Sequence, residues 1–403
     1  MSRRGNPVPA LASTADALLL STRKRMATAI HNTAFRWLRN GDEAFAAMLA
    51  AIEAAQNSVR LETYIFSAGE PGNRFLEALV RAQRRGVPVY VVVDSWGSQD
   101  LADSYWEPLR KAGGEFRWFN ERTNRGFMFR DHRKLLVCDE HVAVLGGFNI
   151  APEYAGDGVA RGWCDVGLHL AGPLAVQLAE SFDKMFTRAE LRHRAFMRVM
   201  GTGAHARIPC PDGDLLMSGP GRGFSTLKRA LSVDLRNARR VQIMAAYFLP
   251  TWKLRRALQR VVRRGGQVQL ILPGQSDVPL AQLASRRLYR PLLAAGVEIY
   301  EYQPQILHAK LILIDDLAYV GSANLDTRSL HINYELSLRL HNEHVAEGGR
   351  QLFAENLAHC KRIGREEWRA SQSFWSRLKQ RWAYFILARM DLYLARRQLA
   401  GLR

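Results

Sequence analysis

The chain switches between helical and strand periodicity, and it does so twice in the same order. "LETYIF" (61–66) reads as a strand, the amphipathic stretch ending "LVRAQRRG" (79–86) as a helix closed by glycine, and "VPVYVVVD" (87–94) as a buried strand. In the second half "IMAAYFLP" (243–250) precedes "LQRVVRRGGQVQLILP" (258–273). Leu79, Arg81, Arg84, Arg85 and Gly86 stand at one constant offset from Leu258, Arg260, Arg263, Arg264 and Gly265. Further on, "YWEPLRKAGGEFRWF" (105–119) matches "LYRPLLAAGVEIYEY" (288–302) through Pro108/Pro291 and Gly113/Gly296. Each unit predicts strand, helix, buried strand, helix, strand. A self-repeating pattern of this kind implies two tandem, pseudo-symmetric α/β domains, with helices covering each sheet. The expected division is a basic helical segment over 1–40, a first domain over 41–200, a Gly- and Pro-rich linker over 201–216, a second domain over 217–355, and a basic aromatic amphipathic helix over 356–403.

A duplicated fold predicts duplicated chemistry. "DHRKLLVCDEHVAVLGGFN" (131–149) has its second copy in "LHAKLILIDDLAYVGSANLD" (307–326). His308, Lys310 and Asp315 repeat the spacing of His132, Lys134 and Asp139, and Gly321, Ser322 and Asn324 repeat Gly146, Gly147 and Asn149. The second copy is one residue shorter between its aspartate and its glycine, which fits a tighter hairpin turn. One such motif arises by chance, but two at equivalent places in a repeat do not.

Residues i and i+2 of a strand face one side, so each histidine points with its lysine. Asp139 and Asp315 fall an odd number of residues beyond, at the strand's end, where a carboxylate binds backbone in a hairpin. The glycines admit a close neighbouring strand, and the asparagine amides can donate toward an oxyanion. Downstream of each asparagine lies a carboxylate, Asp165 in "GWCDVGL" and Glu335 in "NYELSL". A carboxylate that takes the Nδ1–H of a histidine fixes the tautomer exposing Nε2. Glu62, on the strand bordering these motifs, reads equally as a buried structural acid, and Trp163 reads as core.

Two histidines, two lysines and two asparagines that converge describe a phosphodiester site. Fixed cations and amides stabilise the charge that builds on phosphorus. One neutral imidazole attacks while the other, protonated, serves the leaving oxygen. The two motifs resemble the signature of the phospholipase D superfamily, H-x-K-x4-D followed by G-[GS]-x-N, over roughly residues 41–355. The resemblance implies mixed sheets, one catalytic centre at the interface of the halves, and no metal or other cofactor. By motif the catalytic set is His132, Lys134, Asp139, Asn149, His308, Lys310, Asp315 and Asn324, supported by Asp165, Glu335, Gly147 and Ser322. The family's usual assignment makes the first-half histidine, His132, the nucleophile. Within the superfamily, the length, "LETYIF" and "GSANLD" are similar to the shorter bacterial cardiolipin synthases. That likeness implies transfer of a phosphatidyl group from one phosphatidylglycerol to another, with release of glycerol. The superfamily also contains hydrolases and nucleases of single-stranded nucleic acid, which stand as the alternatives. A non-catalytic binder of anionic membranes is a third class, but neither motif has lost a histidine or a lysine.

Composition bears on the partner. A formal net charge of +19 over 403 residues favours a polyanion, and the resemblance selects anionic phospholipid over nucleic acid. The four cysteines are scattered and read as reduced thiols. No stretch is long and apolar enough to span a bilayer, so the expectation is peripheral attachment at the cytoplasmic side of the cell membrane. In "FWSRLKQRWAYFILARMDLYLARRQ" (374–398), Trp375, Leu378, Trp382, Ile386, Met390 and Tyr393 recur at three- and four-residue steps among arginines. That stripe either packs on the protein or enters an anionic lipid interface. "FRWLRN" (35–40) is a weaker candidate of the same kind.

Overall fold

The computed structural model describes residues 33–120, 129–190, 205–220 and 225–390. The first half runs β1 (Ala34–Leu38), α1 (Gly41–Ala54), β2 (Val59–Thr63), α2 (Gly72–Arg84), β3 (Val89–Asp94), α3 (Glu107–Lys111), β4 (Glu115–Phe119), β5 (Leu135–Cys138), β6 (Val142–Gly146), β7 (Gly167–Ala171) and α4 (Leu174–Glu190). The second half runs β8 (Ala206–Cys210), β9 (Gly213–Ser218), α5 (Thr226–Asp234), β10 (Arg240–Ala245), α6 (Trp252–Arg263), β11 (Gln267–Pro273), α7 (Pro279–Arg286), α8 (Tyr289–Ala294), β12 (Glu298–Tyr302), β13 (Lys310–Ile314), β14 (Leu317–Gly321), α9 (Thr327–His331), β15 (Glu335–His341) and α10 (Glu343–Leu357). It closes with β16 (Cys360–Arg362), α11 (Arg365–Ser371) and α12 (Phe374–Phe385).

Two mixed sheets result, ordered β1-β7-β6-β5-β2-β3-β4 and β16-β12-β11-β10-β13-β14-β15-β9-β8. In each, three strands joined through helices are parallel, and the motif-bearing strands continue as an antiparallel meander. The Arg-Arg-Gly closures work through left-handed glycines, Gly86 at φ 86° and Gly265 at φ 84°, a conformation a Cβ would strain. One core is common to both halves. Val137, Leu145 and Leu168 from the first sheet meet Leu313, Val320 and Leu338 from the second, with Phe182 of α4 and Phe353 of α10 between them. Each half keeps a second, private core on its outer face. Burying the inner faces together ties the two motifs to one rigid centre.

The structure corrects three expectations. Residues 1–32 of the expected basic N-terminal helix lie outside the described residues, and residues 34–38 are a strand. β1 pairs with β7; Phe35 and Trp37 turn to the shared core, and the Trp37 indole donates to the Val345 carbonyl at 3.0 Å. The period-two alternation of "AFRWL" outweighed the basic residues around it. The expected linker over 201–216 is instead, in its described part, the hairpin β8–β9. β9 holds against β15 the place β1 holds against β7, and Pro209 is tolerated because β8 is the sheet's edge. The single C-terminal helix over 356–403 is a strand and two helices up to residue 390, and 391–403 lie outside the described residues. Gly364 precedes α11, and the Ser373 hydroxyl caps α12 by accepting from the Ser376 N–H.

The hairpins account for the motif aspartates. Asp139 (φ 55°) and Asp315 (φ 49°) turn the chain between β5 and β6 and between β13 and β14. The first turn contains Asp139, Glu140 and His141, whereas the second contains only Asp315 and Asp316, which is where the missing residue went. Asp139 accepts from the backbone N–H groups of Gln56, Asn57 and Ser58 at 2.7–3.2 Å. Asp315 accepts from those of Arg239 and Arg240. Burial pushes the Asp139 pKa up, but these donors and His141 outweigh it and hold the group below its ordinary value. Asp139→Ala should therefore cost about 1–3 kcal/mol in urea denaturation at neutral pH. Because the folded-state pKa is depressed, that contribution is present above about pH 4 and fades as pH falls through the folded value, so the two proteins should converge in acid.

Candidate active site

Each histidine sits in a short extended segment just before its motif strand, and that segment pairs with the opposite half. The His132 N–H donates to the Tyr334 carbonyl (3.0 Å), while the Tyr334 N–H donates to that of Arg130 (2.9 Å). Reciprocally, the His308 N–H donates to the Cys164 carbonyl (2.7 Å), and the Cys164 N–H to that of Ile306 (2.9 Å). These two parallel bridges, Asp131 with Tyr334 and Cys164 with Leu307, cross the domain boundary. Tyr334 is followed by Glu335 and Cys164 by Asp165. The carboxylate reaching each histidine therefore comes from the other half: His132 Nδ1 lies 3.1 Å from Glu335, and His308 Nδ1 lies 2.6 Å from Asp165.

Both lysines point inward with their histidines. Lys134 Nζ donates to the His132 carbonyl at 2.6 Å. Lys310 Nζ donates to the His308 carbonyl and lies 2.8 Å from His308 Nδ1. All four side chains are buried, as are Asn149 and Asn324. Asn149 Oδ1 accepts from the Ile65 N–H, which leaves its amide N–H2 to donate to the Tyr154 hydroxyl at 2.7 Å. Asn324 Oδ1 is buried without a hydrogen-bond partner. Asp139 and Asp315 are not brought to this centre, because each lies beyond the far end of its strand in the turn described above. Their carboxylates bind backbone N–H groups away from the histidines, so their place in the signature is a folding requirement.

The two carboxylates differ in state. Glu335 accepts from the hydroxyls of Ser322 and Ser329 as well as facing His132. Burial pushes its pKa up, yet His132, Lys134 and these donors overcome that and hold it below its ordinary value. Asp165 meets Gly147 where Glu335 meets Ser322, and so lacks the hydroxyl; burial raises its pKa to about 7 against the pull of Lys310. Burial and the neighbouring lysines lower His308 well below its ordinary value. His132 is lowered less, because Glu335 partly offsets its burial. Burial brings Lys134 down to about 7, and lowers Lys310 as well. Among the described residues no group of three or more His, Cys, Asp or Glu side chains is arranged to hold a metal ion.

Several site neighbours were not singled out from sequence. The Tyr64 ring lies 5.0 Å from that of His132. The Tyr154 hydroxyl is 3.5 Å from His308 Nε2. Tyr247 faces His308 at 6.5 Å and donates to Asp277 at 2.6 Å. Tyr64 and Tyr247 stand in "LETYIF" and "IMAAYFLP", so the repeat marked their neighbourhood without assigning them a task. Trp163, read as core, is partly buried with its ring 5.5 Å from that of His308. Glu62 pairs with Arg133 at 3.0 Å in a fully buried cluster behind the motif strand.

Gly147 is where the site leaves no room. A Cβ there would stand 2.1 Å from Asp165 Oδ1, so a methyl group must displace the carboxylate from His308. Gly147→Ala should lower kcat by about 100-fold, the penalty of an ångström-scale misplacement, while the unfolding midpoint shifts by only a few degrees.

Known proteins resemble this chain along most of its length. The family described as "Cardiolipin synthase, PLD-like domain" matches residues 48–188 and 231–357, one match in each half. Cardiolipin synthase B of Salmonella typhi is 32% identical over 363 residues, covering 87% of this chain and 86% of that protein. Cardiolipin synthase B of Escherichia coli (strain K12) is 31% identical over the same length. Among solved structures, phosphatidylserine synthase of Haemophilus influenzae superposes with a TM-score of 0.70 at 14% identity, covering 93% of this chain and 99% of that one, which speaks for the fold. Two PLD-like halves, each supplying one histidine and the acid for the other, place the chain in the cardiolipin synthase family of the phospholipase D superfamily.

Proposed function

We propose that the protein is a cardiolipin-synthase-type phosphatidyltransferase, joining two phosphatidylglycerol molecules with release of glycerol at the surface of the cell membrane. The observation that carries the reading is the pair of buried His–carboxylate dyads exchanged between halves, with both lysines beside them. The names of the matched relatives supply the product, cardiolipin.

In the first step an Nε2 lone pair attacks the phosphorus of one phosphatidylglycerol. A P–N bond forms, the P–O bond to glycerol breaks, and the second histidine gives its proton to the departing alkoxide. In the second step that histidine takes the proton from a hydroxyl of another phosphatidylglycerol, whose oxygen displaces the imidazole. The P–N bond breaks and cardiolipin leaves. Without substrate both imidazoles are held toward neutrality. A bound phosphodiester's negative charge favours protonating one of them, which gives the two histidines opposite states. We assign the attack to His132 and the proton transfers to His308. This order follows the family's usual assignment of the first-half histidine as nucleophile; the Tyr154 hydroxyl lies beside His308 Nε2. Glu335 and Asp165 orient the rings, and the lysines and asparagine amides stabilise charge on the phosphoryl oxygens. No helix among the described residues is long and apolar enough to cross a membrane. We infer that the protein works from the membrane surface, on the cytoplasmic side.

Purified protein given phosphatidylglycerol vesicles should produce cardiolipin and glycerol in equal amounts, and His132→Ala or His308→Ala should reduce that by at least 1,000-fold. Phosphatidic acid in place of cardiolipin would mean a hydrolase; cleaved single-stranded DNA with untouched lipid would mean a nuclease. With a p-nitrophenyl phosphodiester, whose leaving group needs no proton, His308→Ala should still form the phosphohistidine and His132→Ala should not.

The lysines set a pH limit. Lys134 is charged below about pH 7 and neutral above it, and only the cation stabilises phosphoryl charge. The value of kcat/KM should therefore fall as pH rises through that region. Lys134→Arg, which stays charged, should move this alkaline limb upward even though its maximum is lower.

A further inference from the structure

The helix α12 packs on the protein through the face opposite its aromatic stripe. Gln380 and Ala383 are its buried residues, and Ala383, Tyr384 and Leu387 at its end meet Leu249 and, on α7, Leu283 and Ala284. The stripe itself faces outward: Phe374, Trp375, Trp382 and Phe385 are 68%, 68%, 62% and 53% exposed. At about 100° per residue, these rings with Leu378 and Ile386 cover an arc of roughly 120°. The exposed cations Lys379 on one side and Arg381 and Arg377 on the other border that arc. A helix whose apolar row were meant for the protein's own core would present it to α7, and this one presents Gln380, Ala383, Tyr384 and, just past its end, Leu387 there instead.

Further exposed apolar side chains stand on the elements against which α12 packs. Val278 and Leu280, at the start of α7, are 38% and 37% exposed, and Trp252, which opens α6, is 56% exposed with Arg256 stacked on its ring at 4.3 Å. Asp277, immediately before them, receives the hydroxyl of Tyr247, whose ring faces His308. The apolar patch and the candidate site therefore share one short loop.

We propose that α12, the start of α7 and Trp252 form the surface by which this protein docks on an anionic phospholipid bilayer, with the aromatic rings in the interface and Arg377, Lys379 and Arg381 at the headgroups. Charge complementarity selects the occupant: cations line both edges of the apolar arc, so the lipid surface must be negative. Aromatic rings with snorkelling basic side chains suit the boundary between headgroups and acyl chains. Docking this way sets the loop at Asp277 against the membrane, so a lipid headgroup reaches the histidines without its acyl chains leaving the bilayer. That last consequence rests on the lipid chemistry proposed above, whereas the docking itself does not.

The test is sedimentation of the full chain with sucrose-loaded vesicles of phosphatidylglycerol or of phosphatidylcholine. The protein should pellet with the first and stay in solution with the second. Trp375→Glu/Trp382→Glu should reduce the bound fraction at least tenfold and yet turn over short-chain phosphatidylglycerol, below its micelle-forming concentration, at the unsubstituted rate. In the unsubstituted protein, phosphatidylglycerol brominated near the headgroup should quench tryptophan fluorescence, a readout independent of how the variant folds. Equal pelleting of variant and parent, pelleting with neither lipid, or an absence of quenching would overturn the proposal, as would a dimer that the substitutions dissociate. Docking without turnover in either protein would overturn the lipid chemistry and leave the docking surface supported.

Discussion

Two backbone bridges hold this molecule's chemistry in place. At Asp131–Tyr334 and Cys164–Leu307 the chain just before each motif pairs with the opposite half. The carboxylate after each bridge then stands against a histidine that the same half does not contain. Neither half alone holds a complete His–carboxylate pair, so the fused core that buries Val137 and Leu313 together is a condition of the site as well as of the fold. A histidine in water keeps its ordinary pKa and rotates freely. Here burial, a fixed acceptor on Nδ1 and a lysine beside the ring remove both freedoms.

The symmetry is close in backbone and broken in chemistry. Ser322 donates to Glu335, while Gly147 only makes room for Asp165. The acid with hydroxyl donors is held ionised, and the one without is raised to about 7. Tyr154 adds a second asymmetry at His308 Nε2. The proposed reaction, in which one imidazole attacks and the other carries a proton, would be served by two equivalent strands whose neighbours differ. The motif aspartates stand apart, since Asp139 and Asp315 gather backbone N–H groups at the ends of hairpins and act on the site only by setting where its strands run.

Much was legible along the chain. Period-two and period-3.6 patterning, repeated at a constant offset, announced two α/β units, and the doubled His–Lys spacing announced one site made of two parts. Both signals are local, written within a few residues, and so survive without knowledge of the fold. The reading of 34–38 as helix followed charge where alternation should have led: Phe35 and Trp37 lie on one face of a strand that only the β7 edge accommodates. Gly and Pro made 201–216 look like a linker, but an edge strand tolerates Pro209 because its N–H side needs no partner.

What the sequence by itself determined is the set of candidate groups: two imidazoles, two lysines, two amides and two downstream acids, at spacings that strand geometry makes meaningful. Only the tertiary structure decided which acid serves which ring, because Glu335 and Asp165 reach across the boundary through bridges between residues 203 and 143 positions apart. It also decided that the aromatic stripe of α12 turns outward, since a helix period tells which residues share a face and never which face finds a neighbour. The physical reason is the same in both cases. Spacing along a chain sets direction within one element, whereas pairing, burial and the pKa values that follow belong to the packing of elements distant in sequence.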